Sequence, residues 1–86
     1  MWEIVYAKQA VKDSRKIRDA GLQEKVKSLV AILEEDPVRT HPAFEKLIGD
    51  LSGAYSRRIN IQHRLVYQVI TEIKTVKVIR MWTHYE

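Results

Sequence analysis

The chain of 86 residues contains no cysteine. That excludes disulfides, thiolate metal sites and a cysteine nucleophile, and it fits a reducing compartment such as the cytoplasm. Only three glycines and two prolines occur, and no glycine-rich phosphate loop can be read among them. No apolar run approaches the length needed to span a membrane. The opening "MWEIVY" lacks the basic start and apolar stretch of a secretory signal. No HExxH or similar metal-ligand spacing is present, so neither a metal nor a cofactor is expected. At this length the chain reads as one domain, residues 1–86. A core this thin obliges many side chains to serve both packing and function.

What charge there is lies unevenly. Residues 1–50 hold nine Lys/Arg and nine Asp/Glu, whereas residues 51–86 hold six and two. The whole net charge of +4 therefore sits in the C-terminal part. A local excess of this kind favours a polyanion such as nucleic acid, or an acidic protein partner.

Periodicity gives the order of elements. "MWEIVY" alternates as a strand does. Ala7, Ala10, Val11, Ile17 and Ala20 follow at helical spacing with a basic outer face, and Gly21 interrupts them. Leu22, Val26, Leu29, Val30 and Leu33 make a cleaner second stripe, which Pro37 ends. Residues 37–50 read as a loop with one short turn or strand around Phe44 to Ile48. "AYSRRIN" and "HRLVYQVI" form a hairpin, and "KTVKVIRMWTHY" a last strand. The expected fold is α+β: two helices on one face of a mostly antiparallel sheet, in the order β-α-α-β-β-β, with an extra short strand allowed at 47–49.

Alternation along the hairpin then sorts its faces. Tyr55, Arg57, Ile59 and Ile61 share the apolar side with His63, Leu65, Tyr67 and Val69. Arg58 falls with Arg64 and Gln68 on the open side, and Arg57 is expected at a sheet edge. Two guanidiniums on one face can grip a phosphate, because each is a rigid fork of donors that keeps its charge. The same pattern also arises from solvated sheet charges. His63 reads as a packed histidine, His41 as an exposed loop residue, and His84 as a group able to donate or accept a proton near neutral pH.

The stretch "FEKLIGDLSGAYSRRINIQHRLVYQV" and the terminal "WTHYE" resemble the Txe/YoeB toxins of bacterial toxin–antitoxin modules, within the RelE/ParE-like superfamily. The likeness covers nearly the whole chain, and "SRRI…HRLVY…HY" is its specific part. It implies the RelE-like fold and ribosome-dependent endonuclease cleavage of mRNA that inhibits translation. It also implies a Phd/YefM-like antitoxin as partner, with operator DNA bound only through the antitoxin complex, and leaves a homodimer open. By this resemblance Glu45 is the general base and His84 the general acid. Arg64 is a catalytic phosphate ligand, Arg58 a second one, and Tyr85 the adjoining aromatic. Arg57 and Lys46 are assigned supporting RNA contacts, and Glu86 extends the chain past the histidine–tyrosine pair. Two alternatives stay open: a ParE-like toxin that poisons DNA gyrase without cutting RNA, and a basic RNA-binding module without chemistry.

Overall fold

A computed structural model describes residues 1–40, 43–47 and 53–82 of the chain. Strand β1 (Glu3–Tyr6) leads into helix α1 (Lys8–Asp19) and helix α2 (Gln23–Glu35). Strands β2 (Phe44–Lys46), β3 (Ala54–Arg58), β4 (Arg64–Ile70) and β5 (Thr75–Arg80) follow. The sheet order is β1-β5-β4-β3-β2. Only the β1–β5 pair is parallel among these; the other three are antiparallel. A short strand exists at Phe44–Lys46, within the stretch around Phe44 to Ile48 read as a turn or strand. Leu47 only prolongs its ladder by one bond, from its N–H to the Ala54 carbonyl. Residues 48 and 49 lie outside the described residues.

The two helices are separated by a tight turn at Gly21. Its φ of +74° lies in the left-handed region, where a side chain would be strained. Gly21 and Leu22 N–H groups bond back to the carbonyls of Arg18 and Ile17, closing α1 in a Schellman arrangement. Val26, Leu29 and Leu33 of α2 are buried as the stripe predicts. They meet Leu65, Tyr67, Val76 and Val78 of the sheet. Each such side chain stabilises by roughly 1.5–3 kcal/mol relative to exposure.

Helix α1 departs from expectation. Val11 is largely exposed, and the buried positions are Ala10, Asp13 and Ile17. A carboxylate thus occupies the middle of the apolar stripe. Its bonds explain why. Asp13 Oδ2 accepts from Arg80 Nε at 3.0 Å, from the Met81 N–H at 2.9 Å and from the Trp82 N–H at 3.2 Å. Its Oδ1 accepts from Gln9 Nε2 at 3.0 Å. Burial alone would push this carboxyl up, but the bonds from Met81, Gln9, Arg80 and Trp82 outweigh it and hold the pKa below its ordinary value.

A lowered folded-state pKa fixes the sign of the pH dependence. The unfolded chain binds the proton more readily, so this stabilisation is complete above the ordinary aspartate range. It is lost as pH falls through the folded value. Asp13→Ala should cost about 3–5 kcal/mol at neutral pH, since it strands a buried partner set. The gap between parent and variant should narrow below about pH 4. Urea unfolding at neutral and acid pH measures this, and a gap that widens in acid would contradict it.

The last strand carries an irregularity that periodicity does not show. Val66 pairs with Arg80 and Tyr67 with Val78, so Ile79 is an extra residue in β5. Such a bulge shifts the alternation by one. Val76 and Val78 are buried before it, and Met81 is buried after it, on the opposite parity.

Candidate functional site

The site is assembled at one end of the β2–β3–β4 ladder. Glu45 lies opposite Ser56, and Arg58 lies directly opposite Arg64. Alternation puts Glu45, Ser56, Arg58 and Arg64 on one face, away from the helices. Arg64 Nη1 donates to Glu45 Oε1 at 3.3 Å, so this contact spans the width of β3. The Glu45 side chain is 65% exposed and that of Arg64 only 17%. Phe44, Glu45, Ser56, Arg58, Ile59 and Arg64 line a cavity of about 390 Å³, together with Ala43 and Lys25 of α2. Arg58 is exposed at its mouth.

Two arginines directly across a ladder repel each other, their Cβ atoms only about 4.5–5.5 Å apart. Glu45 offsets part of this repulsion at Arg64. An anion between the guanidiniums would offset the rest. The surface is nevertheless less open than alternation implies. Ala54, Ser56 and Val66, on this same face, are buried. The accessible part is the rim holding the charged groups.

The hairpin turn sets the spacing of the two arginines. Asn60 Oδ1 accepts from the N–H groups of Gln62 and His63 at 2.9 and 2.7 Å. The Ile59 N–H bonds to the His63 carbonyl at 2.9 Å. This side-chain turn ends β3 at Arg58 and starts β4 at Arg64. Ile61, expected on the buried side, sits in the turn and is 90% exposed. His63 is packed as expected, its ring stacked on Trp82 with centroids 3.8 Å apart.

The expected sheet-edge position of Arg57 is corrected. Arg57 is not at a sheet edge, because β2 flanks β3, and the residue is fully buried on the helix-facing side. Its Nε donates to the Tyr67 hydroxyl at 2.9 Å, and its Nη2 donates to the carbonyls of Pro37 and Arg39 at 3.1 and 2.7 Å. The guanidinium also lies 4.9 Å from the Phe44 ring centroid. It ties the 37–39 segment to the sheet. Burial pushes the Tyr67 phenol pKa up despite this cation. Lys46, one residue on from Glu45, pairs with Tyr55 and is exposed.

His84 and Tyr85, like His41 and Glu86, lie outside the described residues. Lys25 and Ser56 line the cavity without having been singled out in the sequence. Lys25 belongs to the polar face of α2, where nothing local distinguishes it from the other lysines. Ser56 could have been noticed, since it shares the parity of Arg58. Its buried hydroxyl has no hydrogen-bond partner among the described residues. Among the described residues no cluster of His, Asp or Glu could hold a metal ion. No helix among them is long and apolar enough to cross a membrane.

Residues 6–85 match the family profile of the YoeB-like toxin of bacterial type II toxin–antitoxin systems. Toxin YoeB of Streptomyces coelicolor is 42% identical over 50 residues, which is 58% of this chain and 60% of that protein. The chain thus spans less than two thirds of this curated relative's length. A YoeB/ParE toxin from Agrobacterium tumefaciens superposes with a TM-score of 0.86 at 30% identity, covering 96% of this chain and 99% of the other. A heterotetrameric YoeB–YefM toxin–antitoxin complex from Staphylococcus aureus gives 0.81 at 31% identity, with 99% of both chains covered.

Proposed function

The chain belongs to the YoeB-like toxins of bacterial type II toxin–antitoxin systems, and from that membership we propose that it is a ribosome-dependent endoribonuclease that cuts mRNA and stops translation. The observation that carries this reading is the Glu45–Arg64 pair with Arg58 directly opposite Arg64. A proton acceptor and two permanent cations stand within reach of one phosphate.

In the proposed reaction the scissile phosphate enters between Arg58 and Arg64. It competes with Glu45 for the Arg64 guanidinium and releases the carboxylate. Glu45 then takes the proton of the ribose 2′-hydroxyl, whose oxygen attacks the adjacent phosphorus. The bond from phosphorus to the 5′-oxygen breaks, and His84 donates the proton that this oxygen needs. The products are a 2′,3′-cyclic phosphate and a free 5′-hydroxyl. Both arginines bind most tightly as negative charge builds on the phosphoryl oxygens, which is where their contribution to rate arises. Lys25, from α2, adds positive charge at the same cavity. Tyr85, beside His84 in the sequence, is assigned contact with the RNA.

Translating ribosomes incubated with the purified chain test this directly. The 5′ ends of the mRNA should map to new breaks within ribosome-protected codons. Intact mRNA together with lost DNA supercoiling by gyrase would establish a ParE-like toxin instead. Intact mRNA with RNA binding alone would establish a module without chemistry.

The expected partner is a YefM-like antitoxin, since the Staphylococcus aureus toxin is found in complex with YefM. An acidic segment of such a partner would satisfy Arg58 and Arg64 in place of RNA. Inducing the chain alone should arrest growth, and co-expressing the antitoxin should restore it. Normal growth at high soluble expression without a partner would contradict a toxin.

A further inference from the structure

Among the buried ionisable groups that the mechanism leaves unused, Asp13 is spent on the exit of β5. The N–H groups of Met81 and Trp82 lie beyond Arg80, the end of the β5 ladder, and among the described residues no neighbouring strand takes them. Asp13 Oδ2 accepts both, at 2.9 and 3.2 Å, and accepts Arg80 Nε at 3.0 Å as well. Arg80 Nη2 in turn donates to the Trp82 carbonyl at 3.3 Å. The indole of Trp82 stacks on His63, at an interplanar angle of 20°. The N–H, the carbonyl and the ring of Trp82 are therefore each held by a different group. His84 follows two residues later in the sequence.

We infer that Asp13 is a positioning residue for the catalytic acid: it fixes the point from which the segment carrying His84 departs. This rests on the reading of His84 as acid given above. Holding a carboxylate inside an apolar helix stripe is costly unless its lone pairs are filled. Of the four hydrogen bonds that Asp13 accepts among the described residues, all but the one from Gln9 come from residues 80–82. An apolar residue at this helical spacing would pack, but it would leave the Met81 and Trp82 N–H groups without their acceptor. A carboxylate suits backbone N–H groups that must be held in one place, and misplacing a reacting group by about 1 Å can cost 10²-fold in rate.

The test is single-turnover cleavage of ribosome-bound mRNA by Asp13→Asn, with thermal unfolding recorded beside it. On ordinary mRNA the variant should be slower by about ten- to a hundredfold, with ribosome affinity unchanged. On mRNA with a 5′-thio leaving group, which departs without a proton, the deficit should largely vanish. His84→Ala, measured in parallel, should show the same rescue. A deficit in Asp13→Asn that persists on the thio substrate while His84→Ala is rescued would overturn the inference and leave the acid assignment standing. A His84→Ala variant as fast as the parent on ordinary mRNA would reject the acid, and the inference with it. If Asp13→Asn fails to fold, Arg80→Gln decides. It removes the Nε bond to Asp13 and the Nη2 bond to the Trp82 carbonyl but leaves both N–H bonds to Asp13, and should give a smaller loss with the same rescue. No rescue there would overturn the inference equally.

Discussion

Glu45→Ala should slow single-turnover cleavage on the ribosome by about 10²–10⁴-fold, the range typical for a positioned general base. The affinity for ribosome-bound mRNA should hold or rise. The two effects part because Glu45 has one role in the proposed reaction and another in the structure. In the proposed reaction it accepts the proton, and in the structure it occupies Arg64 through the 3.3 Å contact. Removing it frees a guanidinium that is otherwise shared between carboxylate and phosphate, so binding loses a competitor while chemistry loses its base. Arg64→Ala should do the reverse to binding. It removes a charge-assisted contact to the phosphate and slows cleavage as well, because that contact strengthens as phosphoryl charge develops. Parent-like cleavage by Glu45→Ala would remove it as the base. A loss of rate matched by an equal loss of affinity would make it a binding residue.

Arg57→Ala should destabilise the fold by about 3–5 kcal/mol, a cost expected when one partner of a buried charged network is deleted. A chain of this length has roughly 4–13 kcal/mol in total, so the variant should be marginal. The loss comes from the carbonyls of Pro37 and Arg39 and the Tyr67 hydroxyl, which all lose a buried donor. Arg57→Lys should rescue little, because an ammonium cannot present the planar fork that reaches these acceptors together. Urea denaturation reads the effect. Full stability combined with a large loss of RNA affinity would return Arg57 to the phosphate ligands.

The contrast between Arg57 and Arg58 shows what alternation conveys. It separates the two faces of β3 correctly and joins Arg58 to Arg64. It does not say which strand lies outside β3. The three-residue β2 is too short to carry a pattern of its own, yet its pairing takes Arg57 from an edge to the interior. Ile61 was misplaced because Asn60 closes the turn with its side chain, a local bond that hydrophobicity does not register. Alternation does not give the faces of β5, because Ile79 is a bulge and one inserted residue reverses parity from there on. Asp13 was invisible for a related reason. Its partners are 67 to 69 residues away in the sequence, and a single acidic residue in a helix looks like surface until the sheet is closed over it. The catalytic groupings of Glu45, Arg64 and His84 came from resemblance to a family, and only the first two are brought together within the described residues.

Attack by the ribose 2′-hydroxyl is the step on which all the assigned roles depend, and one substitution in the substrate isolates it. An mRNA carrying a 2′-deoxy nucleotide immediately before the scissile bond, placed on the ribosome with the wild-type chain, should remain intact at that bond. The all-ribose control should yield a 2′,3′-cyclic phosphate. Cleavage of the deoxy-substituted bond would show that water or another nucleophile attacks the phosphorus, and Glu45 would no longer have the proton assigned to it.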